Sequence, residues 1–247
     1  KAPLIAGFGV ESTEYHLGGS FRGTYYTLND NIINGRIRGV AGVVGCNNAR
    51  TQHNRDHIAI CKELIKNDVL VLTTGCTAIA CAMEGLLTPE AAAVHAGPGL
   101  AEVCETVGIS PVLHLGSCVD NSRILLAATE VVKAGGLGDD ISEWPVAGSA
   151  PEWMSEKAIS IGHYFVSSGV YTVFGVSLPT SGAPVFHDYI TKDLEEIYGG
   201  MWDVEPDPIK HAHMMIAHID KKRKELGIDK ARERVLMDMA SRQALEA

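Results

Sequence analysis

Residues 39–76 read GVAGVVGCNNARTQHNRDHIAICKELIKNDVLVLTTGC, and this stretch decides the fold class. Its two ends, Gly39–Val44 and Val69–Thr74, are continuous apolar runs, the pattern of parallel strands buried on both faces. Between them Ile58, Cys61, Leu64 and Ile65 share one helical stripe. Strand, crossover helix and second strand in that order predict a parallel pair with a right-handed connection. Outward from this unit, Leu4–Val10, Val112–Gly116 and Tyr171–Val176 read as further strands. Leu100, Val103, Cys104 and Val107 form a second helical stripe. The expectation is an α/β fold: a Rossmann-like, mainly parallel sheet flanked by helices.

Gly135–Pro151 is rich in Gly, Asp and Pro and reads as a long surface connection. Ser149 with Glu152 three residues on has the form of a capping box opening a helix that runs to about Ser168. Asp207-Pro208 starts a later helix and Gly227 stops it, with the Lys221–Lys224 run as a solvated face near its end. Residues 1–37 are expected to end a preceding α/β unit, and 38–247 to form the Rossmann-like domain. A first residue of Lys1 with strand-like sequence directly behind it suggests a piece of a longer protein.

With 247 residues the chain can bury a substantial core. A net charge of -9 argues against nucleic acid or an anionic membrane surface as partner. No apolar run approaches the roughly 20 residues that span a bilayer, and no signal-peptide pattern opens the chain. A generic nucleotide-binding role has no support from a GxGxxG after a strand or from a Walker A motif. The six cysteines sit in a long chain without secretory features, which favours metal, redox or packing roles over a disulfide framework.

Three of those cysteines share a position. Val43-Val44-Gly45-Cys46, Thr73-Thr74-Gly75-Cys76 and Leu115-Gly116-Ser117-Cys118 each run a strand into a thiol. Ligands of an open parallel sheet bind outside the carboxyl ends of its strands, so the three thiols are expected at one crevice. One such cysteine is commonly a small core residue; three in register are a different matter. Their spacings, 30 residues (46 to 76) and 42 residues (76 to 118), fit no zinc ribbon or ferredoxin run. Thiolate donors favour iron–sulfur chemistry over Mg²⁺ or Ca²⁺. Three thiolates fall short of the four that hold a cubane, so further ligands must come from elsewhere. Cys61 and Cys104 lie in apolar helical stripes and Cys81 in an Ala-rich one; all three read as core.

Gly42–Asn48, Thr74–Cys76, His114–Arg123 and Ala150–Lys157 resemble nickel-containing carbon monoxide dehydrogenases, and the likeness continues through Met201-Trp202-Asp203 to Glu205–Pro208. The resemblance implies reversible conversion of CO and water to CO₂, two protons and two electrons at a nickel–iron–sulfur cluster. It makes Cys46 and Cys76 iron ligands and Cys118 the nickel-side ligand. It also implies a histidine and two cysteines from a preceding domain as further ligands, and electron-transfer iron–sulfur clusters in an N-terminal region. None of those segments is in this sequence, so the isolated chain is expected to be inactive. A cytoplasmic homodimer with a redox partner such as a ferredoxin is implied as well. The competing readings are a hybrid-cluster-type iron–sulfur reductase and a cluster-free folding or dimer-interface module.

Lys157 has Trp153 and Ile161 at i−4 and i+4, which places an ammonium on an apolar helical face. Partial desolvation there is expected to lower its pKa. The bland alternative is a packed stem whose head snorkels to water. The resemblance gives Lys157 the task of stabilising bound CO₂ and assisting proton traffic, and Ile161 that of shielding nickel from water. His211 and His213 stand at i and i+2, which point apart on a helix; with His218 they read as packing or surface residues rather than ligands. His114 reads as a hydrogen-bonded support, Ser122 and Arg123 as capping or support after Cys118, and Asn47 and Asn48 as setting the turn after Cys46.

Overall fold

The computed structural model describes residues 4–20, 22–180 and 182–230. Helices α1 (Val10–Leu17) and α2 (Tyr26–Ile33) lead into β1 (Gly39–Val43), α3 (Arg55–Lys66) and β2 (Val69–Thr74). Next come α4 (Gly75–Met83), α5 (Glu90–His95), α6 (Pro98–Val107), β3 (Val112–Gly116) and α7 (Ser122–Ala134). The second half holds β4 (Val146–Ala150), α8 (Glu156–Ser167), β5 (Tyr171–Phe174), α9 (Pro184–Asp188), α10 (Leu194–Tyr198), β6 (Trp202–Val204) and α11 (Pro208–Glu225).

The six strands form one sheet in the order β3-β2-β1-β4-β5-β6, and every neighbouring pair is parallel. β1, β2, β4 and β5 are buried along their whole length, which explains why apolar runs rather than alternating patterns mark three of them. α3 and α11 pack together, α3 against β2 and α11 against β4 and β5, while α7 packs with α1 and α2. Buried residues of α1 and α2, such as Leu17 and Ile32, join the same apolar cluster as the strands. The chain winds outward from β1 to β3 and then returns to the other side of β1 to begin β4. Strand order reverses there, so the crevice beyond the ends of β1 and β4 is the natural ligand position of this topology.

Four expectations are corrected. Leu4–Val10 is not a strand: residues 4–9 are irregular and Val10 already opens α1. The N–H groups of Gly7 and Phe8 both donate to the one carbonyl of His114, which anchors the segment without starting a ladder. Gly135–Pro151 is not a surface connection, because it contains β4. That strand is Val-Ala-Gly-Ser-Ala, with Gly148 in register with Gly42, so small side chains conceal a fully buried strand. Ser149 and Glu152 therefore form no capping box; α8 starts at Glu156 after Ser155. Finally, the Lys221–Lys224 run is not wholly solvated. Arg223 is buried and donates to the carbonyls of Ile32, Arg38 and Ile228, joining α11 to the entry of β1.

Candidate metal centre at the carboxyl edge of the sheet

β3, β2 and β1 are adjacent and parallel, so the residues just beyond their ends emerge on one edge. Cys46, Cys76 and Cys118 are all free and partly exposed there. Close approach between turns explains the glycines before them. Gly45 has φ +126, and a Cβ on it would stand 2.4 Å from the carbonyl oxygen of Glu152. A Cβ on Gly75 would lie 3.2 Å from the Cβ of Cys118, so the second and third cysteine turns are in contact.

The Cys46 turn is held on both sides. Its N–H donates to the Glu152 carbonyl at 2.9 Å, and its own carbonyl lies 2.8 Å from His57 Nε2. The Glu152 carboxylate, fully buried, accepts from the Asn48 N–H at 2.9 Å and the Thr51 hydroxyl at 2.7 Å. Asn48 Nδ2 donates to the Trp153 carbonyl, and Asn47 Nδ2 to Asn54 Oδ1. Both asparagines therefore set this turn, as expected.

Cys76 is the second residue of α4, so its thiol stands at the start of a helix directly behind β2. Cys118 begins a short 3₁₀ turn, Cys118–Asn121, closed by a reciprocal Ser117–Asp120 capping box. Those Ser117 donors hold the Asp120 carboxyl below the usual range. Arg123 pairs with Asp120 at 3.1 Å and donates to the Leu115 carbonyl at 2.7 Å, which makes it a brace for the Cys118 turn. His114 accepts the Gly116 N–H on Nδ1 at 3.0 Å, and burial lowers its pKa.

Lys157 Nζ lies 3.0 Å from Cys118 Sγ. This bond, reinforced by the charges of Cys118, Cys46 and Cys76, raises the Lys157 pKa above its ordinary value. The lysine is exposed rather than desolvated, so the expected lowering is corrected. The helical face is corrected too. Trp153 precedes α8 and donates its indole N–H to the Val176 carbonyl, leaving Lys157 and Ile161 one turn apart on the helix. Ile161 is half-buried and lines a narrow, mostly apolar cavity with Cys46, Cys118, Lys157, Phe165 and Phe174. Cys76 stands outside that lining.

Among the described residues no three His, Cys, Asp or Glu side chains gather closely enough to hold a single metal ion. The three thiols come from separate βα turns, each offering one soft donor. That set does not suit a mononuclear chelate; it fits a polynuclear cluster in which each metal atom takes its own thiolate. The remaining candidates lie elsewhere. Cys61 and Cys81 are buried with sulfurs 3.6 Å apart, which together with burial pushes the Cys61 thiol up; burial pushes Cys104 up to about 12. His211 is buried between Ser149 Oγ and the Glu205 carbonyl, His213 meets Glu63 at the surface, and His218 stacks on Tyr171 at 4.6 Å.

His57, Thr77, Glu152 and Asn121 carry the geometry; the first two and Asn121 were not singled out from sequence, and Glu152 was read only as half of a capping box. For His57 a signal existed. It lies on the same helical stripe as Cys61 and Leu64, and a polar residue on an apolar stripe needs partners.

Residues 6–209 match the model of the Prismane/CO dehydrogenase family. The chain is 54% identical over 229 residues to carbon monoxide dehydrogenase 1 of Methanosarcina mazei, covering 93% of this chain and 35% of that protein. It is 42% identical over 209 residues to carbon monoxide dehydrogenase 1 of Carboxydothermus hydrogenoformans, covering 81% of this chain and 32% of the relative. Among solved structures, the nickel-free, as-isolated carbon monoxide dehydrogenase of Thermococcus sp. AM4 superposes with a TM-score of 0.86 at 52% identity. That match covers 91% of this chain and 34% of that one. The chain thus spans about a third of the length of the relatives it matches.

Proposed function

The chain belongs to the Prismane/CO dehydrogenase family, and from that premise we propose that it is the C-terminal part of an anaerobic nickel–iron–sulfur carbon monoxide dehydrogenase. The parent oxidises CO with water reversibly to CO₂, two protons and two electrons. Residues 1–37 end the parent's preceding unit, and 38–247 form the domain that contributes cluster ligands. Cys46 and Cys76 would hold iron and Cys118 the nickel side, with the other ligands drawn from parts of the parent outside this chain. When bound, the nickel–iron–sulfur cluster would supply the redox chemistry that CO oxidation needs.

The chain's own residues do the rest. Lys157 places its ammonium Nζ 3.0 Å from Cys118 Sγ, where it stabilises bound CO₂ and assists proton traffic. A fixed charge at that point stabilises negative charge developing on carboxylate oxygens. Ile161, with Phe165 and Phe174 behind it, keeps the cavity apolar and restricts water. Glu152 and the two asparagines hold the Cys46 turn in place. The electron-transfer iron–sulfur clusters would be held by parts of the parent outside this chain, and its redox partner would be a protein such as a ferredoxin. The parent works as a cytoplasmic homodimer; among the described residues no helix is long and apolar enough to cross a membrane.

The carrying observation is the juxtaposition of three thiols from three adjacent strand ends with Lys157 at 3.0 Å from one of them. The test is the parent purified without oxygen, assayed for nickel, iron and CO-dependent reduction of a viologen dye. Nickel and iron together with dye reduction are expected, and Cys118→Ala should abolish the reduction. Iron without nickel and no CO-dependent reduction would instead point to a hybrid-cluster-type reductase and contradict the proposal.

A further inference from the structure

His57 is fully buried in the first turn of α3 and touches two of the three cysteine turns. Its Nε2 lies 2.8 Å from the Cys46 carbonyl and its Nδ1 2.9 Å from Thr77 Oγ1. A carbonyl can only accept, so Nε2 carries the hydrogen and Nδ1 accepts from the Thr77 hydroxyl. Thr77 directly follows Cys76. On the other side of Cys76, Thr74 Oγ1 donates to Asn121 Oδ1 at 2.5 Å, and Asn121 ends the short turn that Cys118 begins. Cys76 is thus bracketed by two threonines, each tied to the turn of a different cysteine. His57, Thr74, Thr77 and Asn121 are all buried, so water cannot stand in for a lost partner.

We infer that His57–Thr77 and Thr74–Asn121 form a buried hydrogen-bond series that sets the spacing of the three thiols before any metal arrives. His57 is the positioning residue that joins the Cys46 turn to the Cys76 helix. None of these four side chains is a ligand; each acts through the backbone that carries a thiol. The inference deepens the cluster reading and rests on it only where metal is concerned.

The test uses the full-length parent with Thr77→Val, which deletes the hydroxyl at nearly constant volume, and Thr77→Ser, which retains it. In metal-free protein, iodoacetamide labelling followed site by site should speed up at Cys46 and Cys76 in Thr77→Val. Cys118 should keep its parental rate, and Thr77→Ser should restore all three. Asn121→Ala is the independent second variant, expected to speed labelling at Cys118 and Cys76 and to spare Cys46. In metal-loaded protein, Thr77→Val should hold iron about tenfold less tightly against a chelator, the size expected when a partner behind a ligand is lost. Its cluster should also show an altered electron paramagnetic resonance signature, with Thr77→Ser at parental values. Parental labelling rates in either folded variant, Thr77→Val or Asn121→Ala, would overturn the inference. Shifted labelling in a parent that takes up no nickel or iron would uphold the series and defeat the cluster reading, so the two failures are distinguishable.

Discussion

Gly45→Ala probes a point of the site where backbone meets backbone closely. Gly45 has φ +126, a region in which an L side chain costs about 1–3 kcal/mol. The added Cβ would also meet the Glu152 carbonyl oxygen at 2.4 Å, a backbone atom of a fully buried residue. Moving Glu152 away costs about a further 1–3 kcal/mol by the usual penalty for overpacking. The same carbonyl accepts the Cys46 N–H, so displacement also weakens a hydrogen bond worth about 1 kcal/mol. Because these costs share one displacement they do not fully add, and the expected loss is about 3–5 kcal/mol. Gly108→Ala is the control. It has φ +77, but a Cβ there meets nothing within 4 Å, so only the backbone penalty of about 1 kcal/mol applies. Urea unfolding of the purified chain, followed by far-ultraviolet circular dichroism, should show a much larger drop in midpoint for Gly45→Ala. Equal drops for the two variants would refute the claim that the Cys46 turn is pinned against Glu152.

Three further outcomes are expected. Lys157→Ala in the parent should keep its nickel and iron by elemental analysis yet lose about a hundredfold or more in CO-dependent dye reduction, the scale for removing one fixed charge donor; normal turnover rules out its role. Burial pushes His211 and His218 from 6.5 down to about 4. For such depressed histidines the unfolded chain binds the extra proton first, so their contribution is present above pH 6.5 and is lost as pH falls toward 4. Between about pH 7 and about pH 5 each should cost the fold about 2 kcal/mol, measured as the unfolding free energy at the two values. His211→Gln should flatten that slope. Gly162→Ala in α8 should destabilise the chain by about 1–3 kcal/mol, because the new methyl would lie 2.4 Å from the Phe174 ring; an unchanged urea midpoint would contradict the packing of α8 on β5.

The parallel sheet was legible where strands carry large apolar side chains. β1, β2, β3 and β5 all fall on runs rich in Val, Leu or aromatic residues. β4 was invisible because Val-Ala-Gly-Ser-Ala is made mostly of small residues and reads as a loop; at Gly148 a Cβ would meet Thr172 Oγ1 at 2.9 Å. The edge segment 4–9 misled in the opposite sense: only Phe8 is buried, Leu4 and Ile5 stay exposed, and no residue of it enters the ladder. The convergence of the thiols could be read from strand ends alone, because parallel strands deliver their trailing residues to one edge. The supports behind the thiols were not legible. His57 and Asn121 find partners in turns far along the chain, and Glu152 closes on a turn about a hundred residues upstream in sequence. Lys157 could be named but its environment could not. The helix begins after Trp153, and the ammonium faces the sulfur of Cys118 instead of an apolar wall.

The central claim, that this edge holds the cluster, is met most directly by anomalous diffraction at the nickel and iron absorption edges from crystals of the parent. The account predicts iron peaks at bonding distance from Cys46 Sγ and Cys76 Sγ, a nickel peak at bonding distance from Cys118 Sγ, and Lys157 Nζ beside it. Nickel and iron bound by other side chains, with these three sulfurs free, would contradict it.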